Sequence, residues 1–181
     1  MATKTKAAPV ERGEQLLPTV DNNWPFYREV ALRYGCPGQG GDANPEWEAR
    51  CLARMHLPFP METAWLEPDP HTKKMAPRGV THVRVHREVV ASLGRVLNAI
   101  LQKVYDGDLE KLRADGMHLL KCLYCHRPHH KEPILSLHAF GVAIDFGAEV
   151  MPPEVIEQFE AEGWKWGGET EPGHFEATRG E

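Results

Sequence analysis

Only one stretch of this chain repeats its apolar residues at helical spacing for several turns. Val89, Val90, Leu93, Val96, Leu97, Ile100, Leu101 and Val104 recur at three- and four-residue steps, which predicts a core-facing helix from about residue 87 to 105, ended by Asp106-Gly107. Elsewhere the chain is punctuated by 16 glycines and 15 prolines among its 181 residues, so loops and turns take a large share. One long helix followed by strands mixed with short helices predicts an α+β domain, with a small antiparallel sheet beside the long core helix and the shorter ones. The length fits one domain, against a prior of roughly 150 residues per domain.

Residues 1–20 are polar, lack an apolar period and contain Pro9 and Pro18, so they read as a flexible N-terminal arm ahead of a single domain over 21–181. Asp21, Asn22 and Asn23 offer capping side chains before Trp24-Pro25 and a short helix to about Tyr34, stopped by Gly35. Residues 35–45 read as a glycine-rich loop, and 50–62 as a strand, because Pro58 and Pro60 forbid a helix. The stretch 66–80 reads as loop again. Further on, 108–114 predicts a short helix, 117–125 and 142–146 predict strands, and Pro152-Pro153 opens a helix to about Ala161. Residues 163–167 and 174–177 read as two short strands.

Several function classes drop out. A net charge of −5 and a pI near 6.1 argue against nucleic-acid or anionic-membrane binding, which needs a basic face. No apolar run approaches the ~18 residues of a membrane helix, so no membrane insertion is expected. The opening residues lack the apolar stretch of a secretory signal, which points to synthesis in the cytoplasm, and a monomer is expected. Ser92 and Ser136 are the only serines, and neither sits in a G-x-S-x-G elbow. Glycine-rich nucleotide-binding loops are missing too.

Histidine stands out instead, with ten in the chain and seven of them beyond residue 85. Fully extended, the seven steps from His138 to Asp145 span about 23 Å. Two ligands of one zinc need donor atoms only about 3–3.5 Å apart. Sharing an ion therefore requires the chain to fold back between them, and Gly141 is the residue able to bend it cheaply. Farther along, Glu171-Pro172-Gly173-His174 carries the Pro-Gly pair of a type II turn, which sets a carboxylate beside an imidazole. Taken singly, each segment also reads as solvated surface. Together they supply two histidines, an aspartate and one extra carboxylate, and three protein ligands with an open fourth position mark a catalytic zinc site. Arg127 is the nearest candidate to stabilise an oxyanion, or else a surface arginine.

The pattern S-x-H-x-x-G-x-A-x-D, carried by Ser136, His138, Gly141, Ala143 and Asp145, resembles the LAS-type zinc peptidases, among them D-alanyl-D-alanine carboxypeptidases and phage L-alanyl-D-glutamate endopeptidases. The tail is similar as well, with Gly163-Trp-Lys-Trp-Gly-Gly168 followed by Glu171-x-x-His174-Phe175-Glu176. The resemblance covers about residues 22–177. It implies that His138, Asp145 and His174 hold one catalytic Zn2+, that Glu171 is the base, and that Arg127 orients substrate or stabilises the oxyanion. Glu169 is the fallback base. Ser136 and Trp166 are candidate substrate contacts. The implied partner is bacterial peptidoglycan, and the implied place of action is the cell wall, after release or as part of a phage particle. The same scaffold also occurs in Hedgehog-type domains, where a zinc site supports binding instead of turnover; the presence of Glu171 favours an enzyme.

Two rival signals share one segment. Cys122-Leu-Tyr-Cys125-His126 fits the C-x-x-C-H haem-attachment pattern, and Cys122 and Cys125 with His126, His129 or His130 could close a structural zinc knuckle. The default reading takes both cysteines as small apolar residues with free thiols, in keeping with a reducing compartment. His82, His86 and His118 read as polar caps or core histidines.

Overall fold

The computed structural model describes residues 22–39, 42–128 and 134–180, and its first elements are set by single residues at their ends. Helix α1 (Val30–Tyr34) stops at Gly35, whose φ of 78° suits glycine. Inside the stretch expected to be loop, β1 (Gly38–Gln39) and β2 (Asp42–Ala43) pair antiparallel. Helix α2 (Pro45–Cys51) follows and escaped the sequence reading, although its start signal is local. Asn44 Oδ1 accepts from the N–H groups of Glu46 and Trp47 at 3.0 and 3.2 Å, and Pro45 takes the first helical position.

Asn22 does not cap α1. Its side-chain amide donates to the backbone oxygen and the carboxylate of Glu162 at 2.8 and 2.9 Å, tying residues near 22 to the far end of the chain. The buried Glu162 carboxylate also accepts from Ser92 and, twice, from Arg95.

Strands β3 (Leu52–Pro68) and β4 (Met75–His86) form a long antiparallel ribbon that runs through most of residues 66–80, correcting the loop expected there. The strand read over 50–62 is present from Leu52 and continues to Pro68. Pro58 and Pro60 fall inside the register break between His56 and Met61, where the ladder does not need their missing N–H groups.

The apolar stripe forms α3 (Val90–Ala99), prolonged by a π-helical turn over Ile100–Val104 in which the Tyr105 N–H reaches back to the Ile100 carbonyl at 3.1 Å. Leu93, Val96, Leu97 and Ile100 are essentially inaccessible, each contributing about 1.5–3 kcal/mol by burial. After α4 (Leu109–Ala114) come β5 (Leu119–Cys122), α5 (Leu137–Phe140), β6 (Ala143–Phe146), α6 (Pro153–Ala161), β7 (Lys165–Trp166) and β8 (His174–Glu176).

Six strands make one sheet in the order β4-β3-β5-β6-β8-β7. The fold is α+β, as the element order predicts, but the sheet is mixed. Strand β3 runs parallel to β5 through Glu62↔Leu119 and Thr63↔Leu120, and the intervening β4, α3 and α4 make the crossover that a parallel pair requires. Beneath β6 and β8, Phe159 stacks on Phe175 at 3.8 Å and meets Phe146 and Trp164 edge-on. Among the described residues no helix is long and apolar enough to cross a membrane.

Candidate metal centre

Ser136 starts α5 as its N-cap, its hydroxyl accepting from the His138 N–H at 3.4 Å. Gly141 ends the helix in the left-handed region, at φ 69° and ψ 28°. It is also pressed against β4, since its carbonyl accepts from the His86 N–H at 2.9 Å and a Cβ would come within 2.8 Å of that nitrogen. The chain thus reverses at Gly141 as the His138–Asp145 spacing requires. Strand β6 leaves with Ile144 and Phe146 buried and Asp145 turned the other way.

The Glu171–His174 turn closes with the His174 N–H on the Glu171 carbonyl at 2.9 Å. It is not the type II turn that Pro-Gly suggests, because Gly173 lies outside the left-handed region. Gly173 is needed for closeness instead: a Cβ there would collide with the Phe146 carbonyl oxygen, while the Phe146 N–H bonds the Gly173 carbonyl at 2.9 Å. That contact locks β8 onto β6 in the register Asp145↔His174.

Three side chains from two distant segments consequently meet. His138 Nε2 lies 3.1 Å from Asp145 Oδ2, and His174 Nδ1 lies 2.6 Å from Asp145 Oδ1. Ligand atoms of the three fall within 4.8 Å of one another, the one such group among the described residues, and they could hold a metal ion.

Proton accounting shows what the group lacks. His138 Nδ1 faces the Leu123 carbonyl at 3.1 Å, an oxygen that can only accept, so this nitrogen carries the hydrogen. In a neutral ring Nε2 then presents a lone pair to a carboxylate oxygen, and it has no hydrogen-bond partner although it is buried. His174 meets acceptors on both sides, with Nε2 3.3 Å from Glu176 Oε2. A neutral imidazole has one hydrogen to give, so two of the four contacts around these rings, the one between His138 and Asp145 and one of the pair at His174, need a positive charge between their members, a metal ion or an extra proton. Without a metal, His174 carries an extra proton. Burial opposes its charge, but the bonds to Asp145 and Glu176 outweigh burial and raise its pKa to about 9. Burial likewise favours the protonated form of Asp145, and the two imidazoles overcome it, holding the carboxyl well below the usual range.

The Leu123 carbonyl and Glu176 hold the outer nitrogens of the two imidazoles, as partners of this kind do where a histidine ligates a metal. Sequence reasoning gave neither a role. Period-two alternation along β8 places Glu176 on the face of His174, which was the available signal. No sequence signal pointed to a backbone carbonyl.

The group lines a cleft of about 730 Å³, together with Arg127, Ser136, Trp166, Glu171 and Glu176. Glu169 does not line it. Arg127 Nη2 lies 3.9 Å from Asp145 Oδ2, and Glu171 is exposed at the cleft edge. Trp166 donates its indole N–H to the Pro172 carbonyl at 2.9 Å, bracing the turn between Glu171 and His174. Ser136, expected as a substrate contact, uses its hydroxyl as the helix cap.

Cys122 and Cys125 are joined as a disulfide, where free thiols were expected, and in this oxidised state the two sulfurs are engaged with each other. His129 and His130, named for that knuckle, and the arm over residues 1–20 lie outside the described residues. Cys36 and Cys51 are free. His86 is buried against Tyr34 at 4.2 Å between ring centres, in keeping with a core histidine.

Comparison with protein-family models, with curated proteins and with solved structures finds no match.

Proposed function

We propose that this chain is a zinc-dependent peptidase of the LAS type, cleaving peptidoglycan stem peptides as an endolysin-like L-alanyl-D-glutamate endopeptidase or a D-alanyl-D-alanine carboxypeptidase. The observation that carries this reading is the convergence of His138, Asp145 and His174, with the buried Nε2 of His138 held 3.1 Å from Asp145 by a ring whose other nitrogen is already engaged. Two imidazole nitrogens and one carboxylate oxygen suit zinc, and three protein ligands leave one position open for chemistry. Zinc bound there supplies Lewis acidity, lowering the pKa of a water and polarising a carbonyl.

The chain's own residues do the rest. Glu171, at the cleft edge, takes a proton from the attacking water on a carboxylate oxygen and returns it to the leaving amine. Arg127 stands beside the Asp145 carboxylate, where its guanidinium holds the negative charge that develops on the carbonyl oxygen. The Leu123 carbonyl and Glu176 keep both imidazoles oriented, so no reorganisation is needed during turnover. The enzyme acts on the wall after release from the cell or as part of a phage particle.

Mass spectrometry of purified muropeptides incubated with zinc-loaded protein tests the reading. Fragments cut at a stem-peptide amide are expected, and their masses identify the bond. Intact muropeptides beside fully loaded protein would overturn the peptidase and leave a zinc-binding domain.

A further inference from the structure

The Cys122–Cys125 disulfide lies directly behind the metal group. Between its two cysteines sits Leu123, whose carbonyl accepts the Nδ1–H of His138 at 3.1 Å. At its far end the Cys125 N–H donates to the His138 carbonyl at 3.1 Å, so the C-x-x-C loop grips both the ring and the backbone of one residue. At its near end Cys122 faces Asp145 across the β5–β6 pair. Two of the three candidate ligands therefore take their positions from a four-residue loop closed by one covalent bond. Cys125 is partly exposed, and both cysteines border a second cleft of about 240 Å³ that gives a small reductant access.

We propose that the Cys122–Cys125 disulfide is a positioning element for the metal centre, and that its reduction loosens the grip of Leu123 on His138 and speeds loss of the metal. This inference rests on the zinc reading above. Freed of the cross-link, residues 122–125 regain backbone freedom, and the Leu123 carbonyl no longer stays where the His138 N–H must find it. Losing an outer-shell partner of a metal-bound histidine typically costs 10–100-fold in metal affinity. The chemistry balances with a water-soluble trialkylphosphine: the phosphorus attacks one sulfur, the S–S bond breaks, and water supplies the oxygen of the phosphine oxide and the two thiol protons. A phosphine is preferable to a dithiol, whose thiolates compete for zinc.

The test follows zinc release to a chromogenic chelator from the full chain, oxidised and phosphine-treated, with the redox state read by thiol alkylation and intact mass. Release should be about tenfold faster or more after reduction. The double variant Cys122→Ser/Cys125→Ser should release zinc as fast as the reduced protein and ignore the phosphine, while Cys36→Ser stays like the wild type. Melting of the zinc-free protein is measured alongside. Equal release rates in both redox states overturn the proposal, as does a change confined to zinc-free melting, which marks a merely structural cross-link. Should the double variant fail to fold, the wild-type comparison alone decides. Protein that takes up no zinc in either state overturns this inference together with the reading beneath it, whereas zinc-loaded protein that cuts no muropeptide overturns only the peptidase.

Discussion

The rings of His138 and His174 lie 5.4 Å apart between centres, with the two oxygens of Asp145 shared between them, one to each imidazole. Two histidines separated by 36 positions in sequence have become neighbours through two backbone contacts, one made by Gly141 and the other by Gly173. Whether a metal or a proton supplies the missing charge has consequences that can be measured.

If a metal does, purified wild-type chain binds zinc near one per chain, and His138→Ala, Asp145→Ala and His174→Ala each abolish most of it by elemental analysis. Zinc at a thousandfold excess over its dissociation constant should stabilise the wild type by about 4 kcal/mol and these variants hardly at all. A wild type that melts identically with zinc and with chelator would show that the group is a proton-bridged ion pair.

Glu171 and Glu169 separate cleanly, because only the first lines the cleft. Glu171→Ala should keep its zinc and lose stem-peptide hydrolysis by about 100-fold or more, as removal of a general base does. Glu169→Ala should remain near wild type. Reversed outcomes would move the base to Glu169. Arg127→Ala should lower turnover with zinc retained, and an unchanged rate would make Arg127 a bystander.

The unequal legibility of these features has physical reasons. Periodicity announced α3 and its π-helical extension because Leu93, Val96, Leu97 and Ile100 face the core, and S-x-H with E-x-x-H picked out the two histidines that flank Asp145, the first of them brought back to it by the reversal at Gly141. The first half of β3 was legible because Pro58 and Pro60 exclude a helix, while the outer part of the β3–β4 ribbon, over residues 66–80, was not, because its residues are mostly exposed and polar and carry no apolar alternation. The parallel β3/β5 pair was hidden because no local pattern names a strand's distant partner. Leu123 was invisible for another reason: its contribution is a main-chain oxygen, which every residue has. The turn at Gly173 was anticipated with the wrong geometry, since Pro-Gly states a preference in φ while the packing against Phe146 decides.

His86 gives the chain an acid-sensitive core. Burial pushes its pKa down to about 4, against about 6.5 in an unfolded chain. Between those values the unfolded state binds more protons, so stability falls as pH drops from 6.5 towards 4, and above 6.5 the group adds no pH dependence. The difference between pH 7 and pH 5 from this group alone is about 2 kcal/mol. Urea unfolding of wild type and His86→Phe at both pH values reads it directly, and the variant should lose most of that difference. An identical pH slope in the two proteins would mean that the His86 ring charges without cost.

Gly173 ties packing to the metal group. Its backbone lies so close to β6 that a methyl group would strike the Phe146 carbonyl, and separation of β8 from β6 is the direct relief of that clash. His174 is the first residue of β8, so the movement carries its ring away from Asp145. Gly173→Ala should therefore weaken zinc binding about tenfold or more, a cost of the size met when the partners orienting a metal ligand are displaced. Gly94→Ala is the matched control: a Cβ there meets nothing within 4 Å, and helix α3 should gain about 0.5–1 kcal/mol from losing a glycine. Competition titrations against a zinc chelator, run beside thermal melts, separate the two effects. Wild-type zinc affinity in Gly173→Ala would show that β8 absorbs the methyl group without shifting His174, and that the close approach to Phe146 does not set the geometry of the site.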